Sequence, residues 1–140
     1  RQGTVLIQAF NPSHPILGMV LEHNYGAMFQ SQLTERERFN YPPFCRIIQL
    51  SVRHVDANLV NKASDELAKS LRGLFGKRVL GPEYPMVSRI RNQYLKNILI
   101  KFEKGIPLPK AKQEIRNAMV KLNVHPDYKP VRVVIDVDPM

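Results

Sequence analysis

One cysteine and no tryptophan occur among the 140 residues. That scarcity excludes a disulfide framework and a cysteine-rich zinc site. No apolar run reaches the roughly 18 residues of a membrane helix and no signal peptide opens the chain, so a cytoplasmic protein with no membrane partner is expected. Also missing are a glycine-rich phosphate loop ending in Lys-Ser or Lys-Thr, an HExxH pair and a Gly-x-Ser-x-Gly turn. The expectation is therefore that this stretch is not an enzyme by itself and holds no cofactor. His14 and His23 stand without a second ligand at useful spacing. Asp136 and Asp138 share a strand face but have no third ligand, so pairing with a nearby Lys or Arg is expected ahead of Mg²⁺. Cys45 has no base near it in sequence and reads as a small, semi-buried structural side chain.

Acidic residues are also few: 21 Lys and Arg face 12 Asp and Glu, giving a formal charge of +9. The excess is uneven. Residues 1–40 hold three basic and three acidic residues, residues 41–104 twelve and five (net +7), and residues 105–140 six and four. A basic middle favours phosphate backbones or an acidic protein tail as partner.

With 44% hydrophobic residues the chain can bury one core. Arg1-Gln2-Gly3 lacks an initiator Met and leads into an apolar strand at Thr4 to Gln8, so a piece of a longer protein is expected. Asn11 to Pro15 turns the chain into two short helices up to Arg38, with a break near Asn24 and Gly26. Tyr41-Pro42-Pro43-Phe44 ends them. A half-buried strand follows, in which Ile48, Leu50 and Val52 alternate with Gln49, Ser51 and Arg53. Asp56 and Gly76 bracket a helix whose stripe is Val60, Ala63, Leu67, Leu71 and Leu74.

The pattern over Val79 to Phe102 predicts a β-hairpin: an arm from Met86 to Arg91, a turn at Asn92-Gln93, and an arm from Tyr94 to Phe102. Pro109 opens a second helix with the stripe Ala111, Ile115, Ala118, Met119 and Leu122. Val131 to Val137 is a last strand. Counted from Phe44, the order is strand, helix, strand, strand, helix, strand. This is an α+β fold on the ferredoxin-like split βαβ (βαββαβ) plan, with both helices on one sheet face.

Two groups carry binding chemistry. Arg89, Arg91, Asn92, Gln93, Tyr94 and Lys96 cluster on the hairpin, where Arg grips phosphate through paired donors and Tyr94 either stacks on a base or packs. Lys110, Lys112 and Arg116, near the start of the second helix, form a positive patch suited to an acidic tail. Gln49, Ser51 and Arg53 supply no aromatic platforms on the open sheet face, which argues against an RNA-recognition module.

Four segments, VLIQAFNPSHP, FQSQLTERERFNYPPF, LGPEYPMVSRIRNQYLKNILIK and VVIDVDP, occur in that order and span nearly the whole chain. Together they resemble the C-terminal region of the primosomal protein N′ family, the bacterial replication restart helicases also called PriA. The resemblance implies a terminal strand of the second helicase lobe within residues 1–10, a helical connector over 11–43, and a C-terminal domain over 44–140 resembling a ribosomal small-subunit protein. For the parent protein it implies an ATP-dependent 3′ to 5′ DNA helicase with ATP, Mg and structural Zn held elsewhere. The partners implied are branched or forked DNA, the single-stranded-DNA-binding protein, other primosome proteins and the helicase core of the same chain, at stalled forks. The leading expectation is a DNA-binding accessory domain. Alternatives are a structural or protein-interaction module and a free-standing ribosomal or RNA-binding domain; the helicase-like residues 4–8 argue against the latter.

Overall fold

A computed structural model of the chain describes residues 3–139. Arg1, Gln2 and Met140, which the expected domain ranges include, lie outside the described residues. The chain divides into two compact units, one up to Phe39 and one from Asn40 onward.

In the first unit, His14 Nδ1 accepts the amide of Ile16 at 3.3 Å and starts helix α1 (Pro15–Leu21), with Pro15 in the first turn. Asn24 then caps α2 (Tyr25–Arg38) by accepting the amide of Ala27 at 3.0 Å. Tyr25 and Phe29, one turn apart, stack at 6.0 Å. Neither helix contains a buried residue. The strand expected at Thr4 to Gln8 does not form. A strand needs a neighbour to take its N–H and C=O groups, and nothing among the described residues pairs with this segment, so Val5 and Leu6 are exposed.

The second unit is an α+β fold built on an antiparallel sheet. Strand β1 (Cys45–His54) is central and is followed by α3 (Ala57–Phe75), β2 (Val79–Glu83), β3 (Arg89–Ile90), β4 (Gln93–Glu103), α4 (Leu108–Val124) and β5 (Arg132–Val137). The sheet order is β2-β4-β1-β5, with β3 paired to β4. Alternation decides which side chains meet the helices. Ile48, Leu50 and Val52 of β1 and Ile98, Ile100 and Phe102 of β4 face inward, against Val60, Leu67 and Leu71 of α3 and Ile115 and Leu122 of α4. All of these are buried.

Helix α3 begins where Asp56 accepts the amide of Asn58 at 2.8 Å and ends at Gly76, whose φ of 61° suits the reversal. Leu74, expected in its stripe, is 49% exposed. Phe75 takes that place, meeting Phe102 edge to face at 5.3 Å, because the stripe drifts around the helix toward its end.

The hairpin also departs from expectation. The edge strand is β2, and residues 84–88 form no strand. Pro85 lacks an N–H for a ladder, and Tyr84 instead donates its hydroxyl to Asn61 Oδ1 on α3 at 2.7 Å. Gly81 allows β2 to bulge: its φ is 86°, and a Cβ there would lie 2.7 Å from the Asn97 carbonyl oxygen. Arg72 of α3 donates to the Gly81 carbonyl across this bulge. At the corner before β1, Lys101 Nζ lies 4.0 Å from the Tyr41 ring centre.

Asp138 fastens the last strand. Its carboxylate accepts from the Ile47 amide at 2.9 Å and from Arg46 at 2.7 Å, and its own amide donates to the Ile47 carbonyl at 2.7 Å. The backbone hydrogen bond first, then that from Arg46, hold its carboxyl below the ordinary carboxylate range. The expected pairing of this carboxylate with a nearby cation is therefore present. Cys45 is a buried thiol that donates to the Asn40 carbonyl at 2.8 Å, and burial pushes its pKa up, as fits a structural side chain.

Candidate nucleic-acid interface

The tip of the sheet is a two-residue hairpin. β3 and β4 pair Arg89 with Tyr94 and Ile90 with Gln93, leaving Arg91 and Asn92 as the turn. Their φ values are 48° and 63°, the positive sign that the type I′ hairpin turn demands at both central positions. The expected turn at Asn92-Gln93 is thus displaced by one residue. Arg91 therefore leaves the arm expected from Met86 to Arg91 and does not share a strand face with Arg89. Asn tolerates this conformation readily whereas Arg does not, so backbone strain falls on the residue that carries the charge.

Around the tip, Arg89 donates to Asn92 Oδ1 and sets its guanidinium 5.1 Å from the centre of the Tyr94 ring. The two contacts orient its remaining donors. Tyr94 is half-buried and packs against the core, with Arg89 over its ring. This geometry makes Tyr94 a buttress under the arginine, with one ring face occupied. Arg91 and Asn92 are exposed.

Lys96 is placed elsewhere. Its side chain is only 13% exposed; the ammonium lies 3.6 Å from Asp65 Oδ1 on α3 and 5.4 Å from the Tyr84 ring centre. Among the expected residues the structure brings Arg89, Arg91, Asn92 and Tyr94 together and directs Lys96 onto α3.

The second expected group lies on α4, where Lys110, Lys112 and Arg116 are all exposed. Lys112 and Arg116, one turn apart, border a slot of about 220 Å³ whose floor is Ile48, Ile115, Ile135 and Val137. Lys110 does not line it. The N-terminus of this helix has no side-chain cap and no acidic residue in its first turn, so the dipole adds to the positive field of the lysines.

A third basic feature needs strand register to be visible. Arg53 on β1 lies opposite Arg132 on β5, on the sheet face away from the helices. Only the alternation of β1 hinted at it. No group of three or more His, Cys, Asp or Glu among the described residues is placed to hold a metal ion, and no described helix is long and apolar enough to cross a membrane.

Comparison with known proteins bears on these surfaces. A family model described as the primosomal protein N C-terminal domain matches residues 37–140. The replication restart protein PriA of Synechocystis sp. is 32% identical over 144 residues, covering 99% of this chain and 16% of that protein. The replication restart protein PriA of Haemophilus influenzae is 31% identical over 144 residues, covering 99% and 19%, and that of Bacillus subtilis 24% over 141, covering 99% and 17%. The chain therefore spans less than a fifth of the length of these relatives.

Proposed function

The chain belongs to the primosomal protein N C-terminal domain family, and from that premise we propose that it serves as the DNA-binding accessory domain of a replication restart helicase. In this reading the parent protein is an ATP-dependent 3′ to 5′ helicase. ATP, Mg and Zn belong to its other parts, and this region helps hold branched or forked DNA for them. Residues 1–10 are in this reading the end of the second helicase lobe, and residues 11–43 connect that lobe to this domain. The strand order and the placement of both helices on one face support the ferredoxin-like assignment.

One observation carries the DNA reading: a strained two-residue tip presents Arg91, while Arg89 is fixed beside it by Asn92 and Tyr94. A short hairpin limits where its side chains point, so the cations are preorganised for phosphate at low entropic cost. Titrating the chain with forked, duplex and single-stranded DNA at several salt concentrations tests it. Binding that weakens steeply with salt is expected; no binding to any of the three would overturn it.

The slot beside α4 favours a second role, docking of the acidic tail of the single-stranded-DNA-binding protein. An apolar floor flanked by Lys112 and Arg116 fits a peptide that carries both carboxylates and an apolar side chain. The expected result is loss of tail-peptide binding in a Lys110→Ala/Lys112→Ala/Arg116→Ala variant. Equal affinity would exclude the slot.

A further inference from the structure

The sheet face away from α3 and α4 holds two arginines in an arrangement that a fold does not favour without a ligand. Arg53 and Arg132 are directly opposite in the β1–β5 register. Such residues hold their Cβ atoms about 4.5–5.5 Å apart, and like charges there repel. Neither arginine takes part in a salt bridge among the described residues. Arg53 Nε is moreover buried and, among the described residues, lacks a hydrogen-bond partner. A desolvated charged donor without an acceptor is costly, and two unfavourable features at one point call for an anion.

The surroundings indicate which anion. On the same face Gln49 donates to Ser51 Oγ at 3.3 Å and Ser51 donates to Asn97 Oδ1 at 2.8 Å, a row of uncharged polar groups with the exposed Asp136 opposite Gln49 on β5, four residues from Arg132. Leu95, opposite Arg53 on β4, is buried, and the recess on this face, lined by Gln49, Asn97, Leu80 and Leu99 toward the β2 edge, does not include Arg53 or Arg132, so the pair has no apolar side-chain slot of the kind beside α4. At this end of the sheet the strands run β3, β4, β1, β5. The hairpin turn at Arg91 and Asn92, Arg53 and Arg132 are therefore spread across about three strand spacings of about 4.8 Å each, whereas Arg89, opposite Tyr94, lies on the helix-side face.

We propose that Arg53 and Arg132 form a phosphate-binding subsite on the sheet face away from α3 and α4, which takes the sugar–phosphate backbone of a nucleic-acid strand that also meets the hairpin turn at Arg91. The inference rests on the nucleic-acid reading of this domain and adds a surface separate from the tip. Two arginines at directly opposed positions suit successive phosphate oxygens, and the absence of aromatic side chains from the polar row makes this a backbone contact without base readout.

The test compares Arg53→Gln/Arg132→Gln, Arg132→Gln alone and Arg89→Gln/Arg91→Gln, using a mixed-sequence single-stranded oligonucleotide. Arg132 is exposed, so the single variant retains the fold even if the double one does not. The slope of log affinity against log salt is expected to fall by about 0.7 for Arg132→Gln and by about 1.4 for the double variant. The melting temperature without nucleic acid should stay level or rise as the repulsion is relieved. An unchanged slope in both sheet variants, with a reduced slope in the hairpin variant, would overturn the subsite and leave the tip reading intact. A reduced slope only in the sheet variants would uphold the subsite and overturn the tip. Unchanged nucleic-acid binding together with lost affinity for a glutamate-rich peptide would assign the pair to a protein partner and overturn the proposal.

Discussion

Helix α2 and helix α3 are both read from the sequence as helices with recurring apolar side chains, yet they end in opposite situations. α2 buries none of its 14 residues, whereas α3 buries Val60, Ala63, Ser64, Leu67, Ala68 and Leu71. The difference is not one of propensity, since each has a side-chain cap at its start. α3 has a sheet to lie on. Apolar recurrence specifies which face of a helix seeks cover, and the partner surface decides how much stability results.

The largest expected effect sharpens this contrast. Leu67→Ala should cost about 2–5 kcal/mol because its side chain is fully enclosed, while Phe29→Ala in α2 should stay within about 0.5 kcal/mol. Urea unfolding of the two variants measures both, and equal losses would break the comparison.

Next in size is the bulge that lets the edge strand reach α3. Gly81→Ala must place a Cβ 2.7 Å from the Asn97 carbonyl oxygen at a φ of 86°, and should destabilise the second unit by about 1–3 kcal/mol. A neutral outcome in thermal melting would show that the edge is not held by this bulge.

Asp138→Ala should cost about 1 kcal/mol, through removal of the hydrogen bonds to Ile47 and Arg46. The pH dependence follows from the depressed carboxyl. The folded pKa lies below the unfolded value of about 3.9, so the contribution is fully present above that value and is lost as pH falls through the folded pKa. Stability below about pH 4 should therefore decline less steeply in the variant than in the wild type. Glu103, depressed by its hydrogen bond from Arg78, keeps part of the acid limb in both. Identical acid limbs would contradict the role of Asp138.

The smallest effect concerns the tip, which, like α2, gains little from burial. Arg91→Asn should stabilise by less than about 1 kcal/mol, because Asn tolerates the left-handed backbone better. A clear loss of stability in chemical denaturation would mean that the Arg91 side chain supports the hairpin.

The contrast also marks what was legible in the sequence. The alternation of β1, the caps of α3 with its stripe from Val60 to Leu71, and the Ala111–Leu122 stripe of α4 are local signals, and they matched the elements found, whereas Leu74 at the end of the α3 stripe did not. The strand at residues 4–8 failed because an apolar run becomes a strand only beside another strand. The hairpin turn shifted by one residue because Arg91-Asn92 carries no Asn-Gly or Asp-Gly signal. Lys96 was placed by Asp65 and Tyr84, and Arg53 by its register with Arg132; neither relation exists in the linear sequence. At the candidate site, residue types could be read from the chain, but their directions required the sheet.

The most direct measurement of the central claim is the slope of log affinity for forked DNA against log salt, compared between the chain and a folded Arg89→Gln/Arg91→Gln variant. Weaker binding, similar across DNA sequences, is expected, with a slope reduced by about 0.9 for each phosphate that the variant no longer neutralises. Unchanged affinity and slope in the folded variant would contradict that claim.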